Sequence, residues 1–135
     1  MILTDTVSGR QFATRGGPET QTFSDFIDNG LGSIYAQAGA YNANFQDPPS
    51  SIVATQIVGT IPTDYSISVS HAIEFANVTN TNAIPYSLFG PNSNSYGSTF
   101  VESLTGTHPT PTQYAPGWEM GTPSSQLSYI GTKLK

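Results

Sequence analysis

The side chains best suited to chemistry lie together in Tyr86-Ser87-Leu88-Phe89-Gly90-Pro91-Asn92-Ser93-Asn94-Ser95-Tyr96. An extended piece leads into a turn, and small polar residues then stand where a helix begins. A helix N-terminus offers free backbone N–H groups and the positive end of the dipole. Those groups bind anions, and they steady an oxyanion or the anionic form of a nucleophile. The same pattern also has a purely structural meaning, because Ser93, Asn94 and Ser95 are all good N-cap residues. Other chemistry is sparse. The chain has no cysteine, which removes thiol nucleophiles and thiolate metal sites. Its two histidines, His71 and His108, have no acidic pattern beside them, so neither a metal site nor a cofactor is expected. Asp25, Asp28, Asp47 and Asp64 are scattered and read as turn formers and caps. There is no glycine-rich phosphate loop.

The elements that must position this segment can be read along the chain. Residues 2–15 form a predicted hairpin: Ile2–Val7 and Arg10–Arg15 flank a tight turn at Ser8-Gly9, and Gly16-Gly17-Pro18 turns the chain away. A loop with a short helical turn at Thr22–Asp28 follows. A strand is expected within Ser33–Phe45, a break at Asp47–Ser51, and a β-branched strand over Ile52–Ile61 closed by Pro62. Asp64 or Ser66 would cap a helix over Ile67–Thr79, where Val69, Ala72, Ile73 and Ala76 fall at helical spacing, closed by Asn80, Asn82 and Pro85. A second helix is expected over Asn94–Leu104, with Tyr96, Phe100, Val101 and Leu104 on its apolar face and Gly106 as its C-cap. The four prolines of 107–128 mark irregular coil, packed through Tyr114 and Trp118. Strands first and helices after the middle make an α+β order: an antiparallel sheet with two helices, in one domain over 1–135.

Gly90-Pro91-Asn92-Ser93-Asn94-Ser95-Tyr96 resembles the Gly-Pro-Asn-Ser-Asn-(Ser/Thr)-aromatic signature of a family related to the papain-like NlpC/P60 hydrolases. The permuted branch of that superfamily carries a similar Asn-Cys-x-x-Phe motif at a helix start. On this resemblance its Asn falls on Asn92, its nucleophilic Cys on Ser93 and its aromatic on Tyr96, and the layout from His71 to Tyr86 matches as well. The chain also resembles C-terminal domains of Rhs-type polymorphic toxins, through Arg10–Pro18, Asn92–Tyr96 and Thr105–Pro111. The resemblance implies a papain-like NlpC/P60-type core and an effector or toxin domain, secreted or delivered into a target cell as part of a longer chain. A cognate immunity protein would accompany it. The reaction would be acyl transfer or amide or ester hydrolysis on peptide, peptidoglycan or lipid. Ser93 would be the nucleophile, His108 or else His71 its base, and Asn92, Asn94 and Tyr96 the substrate and oxyanion contacts.

Two departures weigh on that implication. Serine replaces cysteine at position 93, and a serine hydroxyl without a neighbouring base has negligible nucleophilicity at neutral pH. Permuted members carry the catalytic His on an early strand, whereas Met1–Ser70 contains none. His71, among Ala72, Ile73 and Phe75, also reads as a packed or surface residue, and His108, before Pro109, as loop surface. A papain-like scaffold lacking both groups could instead bind a ligand or partner, and an uncharged Asn/Ser/Tyr-rich surface suits adaptable hydrogen bonding. A smaller resemblance is to ADP-ribosyltransferases, which use an early strand Arg and a late Glu. Arg10 or Arg15 with Glu102 would fill those places, although strand-edge solubility accounts for the arginines equally simply.

Composition sets the outer bounds. A 135-residue chain can bury roughly two thirds of its unfolded surface, enough for a core without staples. Hydrophobic residues are only 36%, and fifteen aromatics (seven Tyr, seven Phe, one Trp) make up the deficit. Charged residues are 10%, well below the usual quarter, with a net charge of -5. Only Arg10 and Arg15 are cations within the body, too few to release counterions from a phosphate backbone, so no nucleic-acid partner is expected. The longest apolar runs are far short of 18 residues, so no membrane span is expected.

Overall fold

A computed structural model describes residues 1–20, 22, 24, 27, 30–45, 56–88, 91–112 and 115. Among these residues three strands, β1 (Ile2–Thr4), β2 (Gln11–Pro18) and β3 (Ile34–Ala40), precede two helices, α1 (Tyr65–Asn82) and α2 (Ser93–Thr105). The fold is α+β. The sheet has the order β1-β2-β3 and both pairings are antiparallel.

The expected hairpin forms, but β1 stops at Thr4 rather than Val7. Asp5 ends it: its carboxylate accepts from the Ser8 hydroxyl and from the Val7 N–H at 3.1 Å, while its carbonyl accepts from Gly9 N–H at 2.8 Å. Gly9 supplies the left-handed backbone that closes the turn, with φ 72°. Hydrogen bonds from Ser8 and Val7 hold the Asp5 carboxyl below its ordinary range.

Gly16-Gly17-Pro18 does not turn the chain. It is the end of β2, paired with Ala36, Tyr35 and Ile34. The reason lies across the sheet: a Cβ on Gly16 would stand 2.6 Å from the Tyr96 ring, so the bare backbone is what lets α2 sit down on β2. Pro18 is tolerated because its missing N–H would point past the end of β1 rather than at β3.

Residues 56–62 form no strand, although the β-branched run predicts one. Ile57 is 90% exposed, and the Gln56 side chain is tied instead to Thr110 O (3.0 Å) and Thr112 N (2.9 Å). Residues 52–55, the break at 47–51 and the expected packing of Tyr114 and Trp118 lie outside the described residues, as does most of the helical turn at 22–28.

Helix α1 starts earlier and ends later than its apolar spacing predicts. Asp64 caps it, accepting from Ser66 N–H at 2.7 Å, and Ala83 closes it in the left-handed conformation. Hydrogen bonds from Ser66 lower the Asp64 pKa. Asn80 remains helical because its amide leaves the helix altogether: it accepts from Ala36 N–H (2.7 Å) and donates to Ala36 O (3.0 Å). Helix α2 matches its expected extent to within a residue at each end and closes on Gly106, φ 71°.

Both helices pack on one face of the sheet. The core joins Ile34 and Ala36 of β3 to Ala72, Phe75 and Ala76 of α1, Ile84, and Tyr96 and Phe100 of α2. Phe75 is at its centre, edge-on to Tyr96 (5.0 Å between centroids) and to Phe100 (5.4 Å).

Candidate functional site

The start of α2 is built as a helix cap. Asn92 is extended, and its side-chain oxygen accepts from Asn94 N–H (2.9 Å) and Ser95 N–H (3.3 Å). Ser95 reciprocates: its hydroxyl accepts from Asn92 N–H (2.6 Å) and donates to Asn92 O (2.9 Å). This capping box engages the N–H groups of Asn94 and Ser95 within the cap itself. The Asn92 amide nitrogen also donates to Leu88 O at 3.3 Å, fixing the incoming loop. Ser93 is exposed, with its hydroxyl 3.2 Å from the Tyr86 hydroxyl. Tyr96, expected at a substrate site, is instead a core residue at 1% exposure. Its hydroxyl meets that of Thr14 at 2.5 Å, and burial raises its pKa.

Neither histidine reaches Ser93. His71 Nε2 lies 2.7 Å from Ser103 Oγ, and His108 Nδ1 lies 3.0 Å from a Glu102 carboxylate oxygen. Ser93 and Ser103 are ten residues apart on one helix, about 15 Å along its axis. Both imidazoles therefore sit at the far end of α2 from the hydroxyl they were expected to activate, well beyond the ~3 Å that proton abstraction requires. The Ser103–His71 pair does not replace that site. Ser103 donates its proton to Phe100 O (2.7 Å), which leaves His71 Nε2 as the donor. No acid is hydrogen-bonded to its buried Nδ1 to orient the ring. Burial pushes the His71 pKa down to about 4, against a smaller opposing pull from Glu74. The pair links α1 to α2, a contact between positions 32 residues apart that no local pattern announces.

The arginine–glutamate combination is also dispersed. Arg10 pairs with Asp5 at 3.4 Å and lies over the Tyr65 ring at 5.0 Å. Thr14 and Gly16 face α2 through Tyr96, so the alternation of β2 turns Arg15 to the opposite face of the sheet from Glu102.

A concave feature of the described surface lies elsewhere, along the outer edge of β3. It is a cleft of about 660 Å³, within the usual range for ligand sites. Tyr35, Gln37 and Gly39 of β3, Phe45 beyond it, and Ile73 and Asn77 of α1 form its walls. Among the described residues its lining contains no carboxylate, ammonium, guanidinium or imidazole, and none of the expected site residues belongs to it. The sequence signal for it is slight: a strand without charged residues.

The cap predicts a clear separation of effects. Asn92→Ala should lower stability by about 1–2 kcal/mol in urea unfolding. Ser93→Ala should change it by less than about 0.5 kcal/mol, since Ser93 is exposed and outside the box.

Among the described residues, no group of three metal-ligating side chains comes together, and no helix is long and apolar enough to cross a membrane. Compared with known proteins, the chain matches no family model, no curated protein and no solved structure.

Proposed function

We propose that this domain is a non-catalytic, papain-like binding module belonging to an effector chain of polymorphic-toxin type, secreted or delivered into a target cell. The papain-like and effector parts of this reading rest on the resemblance around Asn92–Tyr96. The non-catalytic part rests on one observation: both imidazoles contact positions 102 and 103, at the opposite end of α2 from Ser93. A serine hydroxyl with no imidazole beside it does not become a nucleophile. Binding is supported by the uncharged cleft beside β3, whose aromatic and amide side chains suit adaptable contacts.

Expression of the wild-type domain and of Ser93→Ala in a bacterial host tests the reading. Identical growth from the two, together with no labelling of wild-type Ser93 by a fluorophosphonate probe, is the expected result. Growth arrest by the wild type that Ser93→Ala relieves would replace the binding reading with the hydrolase one.

A further inference from the structure

The pairing register settles which backbone groups of β3 face outward. Ile34 N–H donates to Ile84 O (2.7 Å) and Ala36 N–H to Asn80 (2.7 Å), both away from β2, while Tyr41 N–H donates to Gln11 O (3.2 Å), toward β2. Alternation then turns the N–H and C=O of Ala38 and Ala40 outward with those of Ile34 and Ala36. The first half of this edge already has partners. Ser33 bridges Pro85 in antiparallel fashion, Tyr86 N–H donates to Gly32 O (2.8 Å), and the Asn80 amide makes at Ala36 the two bonds that a neighbouring strand would make. Beyond Ala36 the edge runs on without such a partner among the described residues, and there it lines the cleft.

Edge strands are normally protected by charge, proline or a bulge. β3, Ile34-Tyr35-Ala36-Gln37-Ala38-Gly39-Ala40, has none of these over the open stretch. A helix stands across the cleft with Ile73, 44% exposed, and Ala76 facing it. An open strand edge beside a helix that presents Ile73 and Ala76 next to the amides of Asn77 and Asn80 accepts an extended peptide: main-chain hydrogen bonds give affinity, and the flanking walls select alternate side chains.

Resting on the binding-module reading, we propose that the cleft takes an extended, uncharged peptide segment of a partner protein, which adds to the sheet as a strand beside Ala38 and Ala40. Alternate peptide residues project toward Ile73 and Ala76 on one side and toward Gln37 and Phe45 on the other. The absence of charge among the described lining residues favours apolar or amide side chains over acidic or basic ones, because a charge entering beside them would lose hydration without gaining a partner.

A random heptapeptide phage library panned on the immobilised wild-type domain provides the probes. Enriched peptides, synthesised and titrated by fluorescence polarisation, are expected to be uncharged and β-prone. N-methylation at alternate residues should weaken them about tenfold or more, and methylation at the intervening residues far less. Ala40→Pro, which deletes an outward N–H at an exposed edge position while leaving the bonds to β2, should weaken them similarly with an unchanged melting temperature. If that variant melts early, the methylated peptides decide alone. Three results would overturn the proposal: no enrichment, affinity indifferent to N-methylation in either phase, or a wild-type dimer by light scattering that Ala40→Pro dissolves, meaning that a second copy covers the edge. Peptides that bind regardless of methylation but are lost in Ile73→Asp would end strand addition while leaving the binding module standing.

Discussion

Phe75→Ala should remove about 4 kcal/mol of folding stability, the largest single effect expected in the described region. Phe75 has no exposed surface and touches the rings of both Tyr96 and Phe100, so truncation opens a cavity between α1, α2 and the sheet. A domain of this size has only about 5–15 kcal/mol in total, so the variant should unfold at a much lower urea concentration. Phe75→Leu, which keeps most of the volume, should lose under half as much. Near-equal midpoints for wild type and Phe75→Ala would mean that the helices are held to the sheet by something other than this aromatic cluster. Because Ile73, Ala76 and Asn77 ride on the same helix, loosening Phe75 should also blur the cleft they line.

Acidification from pH 7 to about 4.5 should cost on the order of 2 kcal/mol through His71 alone. Its ordinary pKa is 6.5, and burial beneath α2 lowers it to about 4 in the folded chain. Between those values the unfolded state binds a proton that the folded state refuses, so stability is fully present above about pH 6.5 and falls as the pH drops toward 4. The full shift would give more, but water at the helix surface screens part of it. Asp5 and Asp64 act in a separate window. Their pKa values are lowered from 3.8, so their contribution is present above that pH and is lost only below it. Urea midpoints at pH 7 and pH 4.5 for wild type and His71→Gln isolate the imidazole. An equal acid loss in both proteins would remove His71 as its source.

Local chemistry was readable where it was self-contained. The Asp64 cap and the Gly106 stop each act within a few residues and stand where their residue types predict, and Gly9 takes the left-handed position in a turn that is longer than Ser8-Gly9, running from Asp5 to Arg10. The small polar run at Ser93–Ser95 was legible as cap-forming, but the residue that caps the helix is Asn92, just before it, which the family resemblance assigns to the substrate. What escaped depends on partners distant in the chain. Gly16-Gly17-Pro18 looks like a turn until Tyr96, some eighty residues on, is set against it. The β-branched run at 56–61 finds no strand to pair with among the described residues, so propensity there has nothing to act on. The two imidazoles could be enumerated from the sequence, but only the path of α2 places their partners, Glu102 and Ser103, at the opposite end of the helix from Ser93. The cleft beside β3 was invisible because its described walls are marked only by a lack of charge, which composition spreads over the whole chain.

Asn80 binds the end of a helix to the middle of a strand through a single amide. The Ala36 peptide group therefore cannot meet water until the last turn of α1 lets go, and that turn cannot fray without stripping the strand of its neighbour. Two segments that thermal motion would ordinarily loosen one at a time are thereby made to open as one cooperative unit, next to the stretch of backbone left uncovered.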